Sequence, residues 1–106
     1  MKGSDYKSRV TENEFQDAVI ALAQMHGWQT AHFRPAKTSR GWRTPMQGDK
    51  GFPDLVLARG GVVLFAELKV KGRRVTADQA RWGLALGDVW QVWTPQDWGQ
   101  IRKALK

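Results

Sequence analysis

Asp54, Glu67 and Lys69 are the residues of this chain with the clearest chemistry. Asp54 closes the run Gly51-Phe52-Pro53-Asp54, and Glu67-Leu68-Lys69 follows the apolar run Val62-Val63-Leu64-Phe65-Ala66. Leu55-Val56-Leu57-Ala58 and a Gly60-Gly61 turn lie between them. The segment reads as a hairpin, with one acid where its first strand begins and an acid and a lysine where its second strand ends. Antiparallel pairing brings those two ends together. Alternate strand residues share a face, so Glu67 and Lys69 point one way and Leu68 the other. A hard cation such as Mg²⁺ takes oxygen ligands, commonly one or two carboxylates with waters and substrate phosphates. Asp54 and Glu67 supply two carboxylates, and the backbone carbonyl of Leu68 is a plausible third oxygen. An ion so held activates water and stabilises charge on a phosphoryl oxygen, while Lys69 orients the water or neutralises developing charge. Phosphodiester hydrolysis uses all of these parts.

The elements that must position these residues follow from pattern and punctuation. Thr11-x-x-Glu14 is a capping box that opens a helix whose apolar stripe is Phe15, Ala18, Val19, Leu22, Ala23 and Met25 or His26; Gly27 ends it. Residues 28–33 read as a strand. Residues 34–50 form a long polar segment carrying Lys37, Arg40, Trp42, Arg43 and Lys50, and a loop of that length in a compact domain is usually functional or disordered. After the hairpin comes a basic turn with Lys71, Arg73 and Arg74. Thr76 then caps a second helix that contains Gln79, Trp82 and Gly83 and runs to about Leu86. Residues 89–93 alternate as a strand, and Thr94-Pro95 begins a last short helix. Residues 1–10 show no period and read as a flexible lead-in to a single domain over residues 11–106. The order is α-β-β-β-α-β-α. The strands before and after the second helix need a crossover, which makes them parallel in a mixed central sheet flanked by helices, an α/β fold.

Composition bounds the partners. The chain has 106 residues and a net charge of +7, with a pI near 10.3, which favours a polyanion, nucleic acid first. It has no cysteine, so a disulfide framework and a thiolate zinc site are excluded. No apolar stretch approaches the ~20 residues needed to span a bilayer, and the amino terminus lacks a signal-peptide run. A cytoplasmic location, in a bacterium or a phage-infected host cell, is the expectation.

Gly51-Phe52-Pro53-Asp54, then Glu67-Leu68-Lys69, then Gln79, preceded by Thr11-Glu12-Asn13-Glu14-Phe15-Gln16, resemble the VRR-NUC branch of the PD-(D/E)XK nucleases over roughly residues 11–105. The resemblance implies a restriction-endonuclease-like core and Mg²⁺- or Mn²⁺-dependent cleavage of DNA. For a domain standing alone it implies a homodimer similar to Holliday-junction resolvases, acting on branched DNA. Carried over by position, Asp54 and Glu67 would bind metal, Lys69 would be the catalytic lysine, and Gln79 would assist from the second helix. The family also places an acid in the first helix. Glu12 and Glu14 compete for that role; Glu14 has local work as the capping partner of Thr11, whereas Glu12 lies nearer the Phe15, Val19 and Ala23 side, which favours Glu12.

Plainer readings stand beside these. Pro53-Asp54 can be a turn, Glu67 and Lys69 a solvent-facing pair at a sheet edge, and Gln79 an exposed helix residue. His26 finishes the first helix, and His32 is an ordinary strand residue. Of six tryptophans, Trp82, Trp90 and Trp93 divide between core and an interface. Trp42, between Arg40 and Arg43, can stack on an unpaired base. The cations Lys37, Arg40, Arg43, Lys50, Lys71, Arg73 and Arg74 flank the site in sequence and suit phosphate contacts that carry no base specificity, hence structure-selective cutting. A non-cleaving nucleic-acid-binding module on the same fold is the alternative from another class, and an RNA nuclease is a third.

Overall fold

Helix α1 (Glu12–Met25) begins where Thr11 places it: the Thr11 side-chain oxygen accepts from the Glu14 N–H at 3.1 Å. It ends at His26, whose N–H donates to Ala23 O. The computed structural model describes residues 9–33, 36–39, 41–43 and 47–106, and of residues 36–38, 42 and 43 only the backbone. After α1 come β1 (Gln29–His32), β2 (Ala36–Thr38), β3 (Gly41–Arg43), β4 (Leu55–Arg59), β5 (Val62–Leu68), α2 (Ala77–Leu86) and β6 (Trp90–Trp93). A 3-10 turn over Pro95–Asp97 then leads into α3 (Trp98–Leu105).

The main sheet has the order β1-β4-β5-β6. β4 is antiparallel to β1 and to β5, and β6 lies parallel to β5, as a helical crossover through α2 requires. Among the described residues the result is a mixed α/β fold with a four-stranded mixed sheet and three helices. Leu55 pairs with Ala66 and Leu57 with Leu64, so these side chains share one face. That face is the core: Leu55, Leu57, Ala66 and Leu68 pack with Phe15, Val19 and Ala23 of α1, with Ile101 and Leu105 of α3, and with Trp28 and Trp93. Each fully buried leucine or isoleucine there contributes about 1.5–3 kcal/mol. The opposite face carries Asp54, Val56, Phe65, Glu67 and Trp90, and α2 covers it. Gly83 lets α2 approach closely, since a Cβ there would sit 2.5 Å from the Trp90 ring.

Arg59 ties the far end of the sheet to the ends of two helices. Its guanidinium donates to His26 O at 2.8 Å, Leu105 O at 3.2 Å and Lys106 O at 3.0 Å, and lies 4.4 Å from the centre of the Trp28 ring. Helix C-termini carry unpaired carbonyls and a partial negative charge, which a planar cation with five donors suits.

Several sequence expectations are corrected. The polar segment is not loop throughout, because Ala36–Thr38 and Gly41–Arg43 pair as an antiparallel hairpin. Strands of three residues are too short to show alternation, and Gly41, at φ +99°, allows the tight return. On α1, Ala18 and Met25 are exposed and Gln16 is buried at 5% exposure. The stripe that faces the sheet is Phe15, Val19 and Ala23, and Gln16 lies one turn after Glu12 on its flank. Val10 packs against the core, so the ordered domain starts earlier than residue 11; residues 1–8 of the expected lead-in lie outside the described residues. The last helix opens as a 3-10 turn, capped by Thr94 and Asp97.

Candidate active site

The β4–β5 register that aligns Leu55 with Ala66 sets Asp54 across from Glu67, on the face under α2. Asp54 is half-buried, and its Oδ2 accepts from the Leu68 N–H at 2.8 Å, which fixes the carboxylate against the end of β5. The Leu68 side chain is fully buried in the core behind the sheet, so Leu68 presents only backbone to the site.

Glu67 is 1% exposed. Its Oε1 accepts from Gln79 Nε2 at 2.9 Å and lies 4.0 Å from Lys69 Nζ. Its Oε2 is buried without a hydrogen-bond partner. Burial pushes the Glu67 carboxyl from the ordinary 4.5 up to about 9; the hydrogen bond that a Glu67 proton would make to Asp54 and the Asp54 charge add to the rise, the Lys69 ammonium opposes it, and the Glu12 charge adds again. A buried carboxylate with one bare oxygen beside a second carboxylate is unstable as it stands. Either a proton shared with Asp54 or a cation bound by both relieves it.

Gln79 reaches Glu67 because α2 starts in the right place. Thr76 and Gln79 form a reciprocal capping box: Gln79 N–H donates to Thr76 Oγ1 at 3.2 Å, and Gln79 Oε1 accepts from Thr76 N–H at 2.9 Å. The oxygen end of the amide is held by the cap, so the nitrogen end must face Glu67. Lys69 is anchored through its backbone N–H to Trp93 O at 2.9 Å, and its side chain is 13% exposed. Glu12, at the start of α1, is exposed but close enough for its charge to act on Glu67; Glu14 exerts no such effect and keeps its N–H on the Thr11 cap. The structure thus gathers Asp54, Glu67, Lys69 and Gln79, with Glu12 at the margin. Among the described residues no group of three or more His, Cys, Asp or Glu side chains forms a metal cluster. Two carboxylates are nevertheless a sufficient protein share for Mg²⁺, which keeps waters and takes phosphate oxygens. The orphaned Glu67 Oε2 is the observation that makes the donor set fit such an ion.

The expected nucleic-acid contacts divide. Lys50 is exposed beside Asp54's own loop, and Lys71, Arg73 and Arg74 are exposed in the turn after β5. Arg40 lies outside the described residues, as do the side chains of Lys37, Trp42 and Arg43, although the backbones of these three belong to the β2–β3 hairpin. Of the histidines, His32 is exposed on the edge strand β1, and His26 lends its carbonyl to Arg59. Neither enters the site.

Two contributors escape sequence reasoning. Phe52 makes edge-to-face contacts with Phe33, Phe65 and Trp82, at centroid distances of 5.5, 5.9 and 4.9 Å, and so holds the Gly51–Asp54 loop against the sheet and α2. Gly51 adopts φ +90°, and a Cβ there would lie 2.6 Å from Asp78 C and 2.7 Å from Gln79 N. Both the backbone conformation and the close approach to the first turn of α2 demand glycine. Gly51→Ala should therefore destabilise the fold by about 2–4 kcal/mol and misplace Gln79; an unchanged thermal melt would contradict this packing. Trp28 and Trp93 are in the core, Trp82 and Trp90 are half-buried at α2, and among the described tryptophan side chains none is exposed. No protein-family model and no curated protein matches the chain.

Proposed function

We propose that this protein is a metal-dependent DNA endonuclease that hydrolyses phosphodiester bonds, built on a restriction-endonuclease-like core and similar to the VRR-NUC nucleases. The observation that carries the reading is the bare, buried Oε2 of Glu67 beside Asp54, with Lys69 and Gln79 on the other oxygen. A structural carboxylate would be paired or exposed; one held like this has a use for a cation.

Asp54 and Glu67 would hold Mg²⁺ or Mn²⁺, with the Leu68 carbonyl as a further oxygen. When bound, the ion supplies a Lewis acid that lowers the pKa of water and draws charge from a phosphoryl oxygen. Gln79 keeps Glu67 in one rotamer by occupying Oε1, which leaves Oε2 for the ion. The Leu68 N–H does the same for Asp54. Lys69 brings a positive charge to the open side, where it orients the attacking water and offsets the charge that develops on phosphorus-bound oxygen. Water adds to phosphorus, one ester P–O bond breaks, and the departing alkoxide takes up a proton. Glu12, at the edge, positions water.

The net charge of +7 and the exposed cations of the Lys50 and Lys71–Arg74 loops supply sequence-independent affinity for the backbone. Selectivity for branched DNA and a homodimer belong to the same proposal. The test is cleavage of a labelled four-way junction and the matching linear duplex in Mg²⁺, Mn²⁺ or EDTA, beside Lys69→Ala. Metal-dependent cuts that vanish in the variant are expected; cutting that survives Lys69→Ala and EDTA would overturn the assignment.

A further inference from the structure

The loop that carries Asp54 also shapes two adjoining grooves. One, of about 260 Å³, begins at Asp54 itself and is walled by Phe33, Phe52, Pro53 and Lys50. The other, of about 460 Å³, runs along α2 and is walled by Asp78, Arg81 and Trp82. Gly48, Asp49 and Lys50 line both, so the grooves adjoin at this loop. We infer that they form one path for an unpaired DNA strand, with the nucleotide next to the scissile phosphate lodged beside Phe33 and Phe52 and the following one beside Trp82. This inference rests on the nuclease reading above.

The lining selects bases over backbone. A closed duplex presents phosphates to a concave wall, and Asp49 and Asp78, both exposed in these walls, repel phosphates. An unpaired strand presents bases, whose exocyclic amino groups can donate to those carboxylates, and whose rings pack on aromatic side chains whatever the sequence. Phe33, Phe52 and Trp82 supply the rings. Lys50 and Arg81, both exposed in the lining of Trp82's groove, remain for the strand's own phosphates. The Trp82 N–H donates to Asp49 O at 3.3 Å, which ties the loop to α2 and holds the two walls together. Edge-to-face packing of Phe52 against Phe33 and Trp82 adds to that tie. The enzyme would accordingly favour sites where one strand is released, such as a flap or a frayed branch point.

The test is fluorescence anisotropy in EDTA, with a fluorescein-labelled duplex bearing one unpaired arm and the fully paired duplex of the same length. Wild-type protein should bind the armed DNA about tenfold more tightly, within the range of one or two stacked bases. Phe33→Leu, which keeps apolar volume but removes the ring, and Lys50→Ala, a surface change, should each bring the ratio close to one without altering the thermal melt by more than a few degrees. Equal affinity for the two DNAs in wild type, or a ratio that persists in both variants, would overturn the path. Cutting in Mg²⁺ is scored separately. Cutting of both DNAs without an arm preference removes the path and leaves the nuclease, whereas an arm preference with no cutting in Mg²⁺ or Mn²⁺ removes the nuclease and leaves the path.

Discussion

Asp54→Asn is expected to lower metal-dependent cleavage by about 10²- to 10³-fold or more, while raising the melting temperature measured in EDTA at alkaline pH, above the folded Glu67 value of about 9. The two effects have one cause. Asparagine is nearly isosteric, and its Oδ1 can still accept from the Leu68 N–H that now donates to Asp54. What disappears is one of two negative charges that face each other beneath α2 once Glu67 has lost its proton. With it goes part of what holds the Glu67 proton so tightly, since both the hydrogen bond and the charge of Asp54 raise the Glu67 pKa. The relief should amount to about 1–2 kcal/mol, or about 4–8 °C per kcal/mol in melting temperature for a domain of this size. Lys69→Ala supplies the contrast. It should abolish cleavage as fully, yet it removes the one cation that opposes the rise at Glu67 and so brings no gain in stability. Equal activity loss with opposite stability changes would mark the site as a place where the fold is less stable than it could be for the sake of a bound ion. If Asp54→Asn melted lower than wild type in EDTA at that alkaline pH, Asp54 would be a structural brace for β5 and the catalytic assignment would lose its support.

Much of this arrangement is legible in the sequence, for reasons that differ by residue. The hairpin punctuated by Gly60-Gly61 sets the β4–β5 register, and register with strand alternation places Asp54 opposite Glu67 and turns Leu68 inward. Thr76 and Pro95 announce the starts of the later elements because capping chemistry is local. Gln79 was legible as a helix residue but its aim was not: that depends on the cap holding its oxygen, a contact between backbone and side chain that spacing alone does not reveal. The hairpin at residues 36–43 was hidden by its length. In the sequence Gly51 and Phe52 stand out only as part of a motif, whereas their physical roles, a backbone pressed on α2 and a ring among three others, exist only once non-local elements meet. The same holds for Arg59, whose partners lie at residues 26, 105 and 106. Trp93 falls in the core, and Trp82 and Trp90 are half-buried at α2; the strongly exposed apolar side chain on α2 is Leu84, at 86%.

In EDTA, stability should fall as pH rises, and a divalent ion should reverse the trend. Glu67 stands at about 9 in the folded chain against an ordinary 4.5, so the folded state holds this proton more tightly than the unfolded state does. Linkage then makes the contribution of Glu67 fully favourable below the unfolded value and progressively lost as pH climbs through the folded one. Between about pH 6 and about pH 8.5 the loss should be about 2–3 kcal/mol, visible as a steady decline in melting temperature. Ion binding needs the ionised carboxylate, so it must release the proton, and apparent affinity should rise over the same range. The difference between melts in Mg²⁺ and in EDTA should therefore widen from about pH 6 to about pH 8.5. Glu67→Gln provides the control: it keeps the volume and a carbonyl that can accept from Gln79, lacks the titration, and should give a flat EDTA profile with no response to Mg²⁺. A wild-type EDTA profile parallel to that of Glu67→Gln would show that Glu67 does not carry the proton, and the bare oxygen would then need a partner other than an ion. The outcome bears on activity as well, because a site that exchanges a proton for an ion gains function toward alkaline pH while the ion-free fold loses stability there.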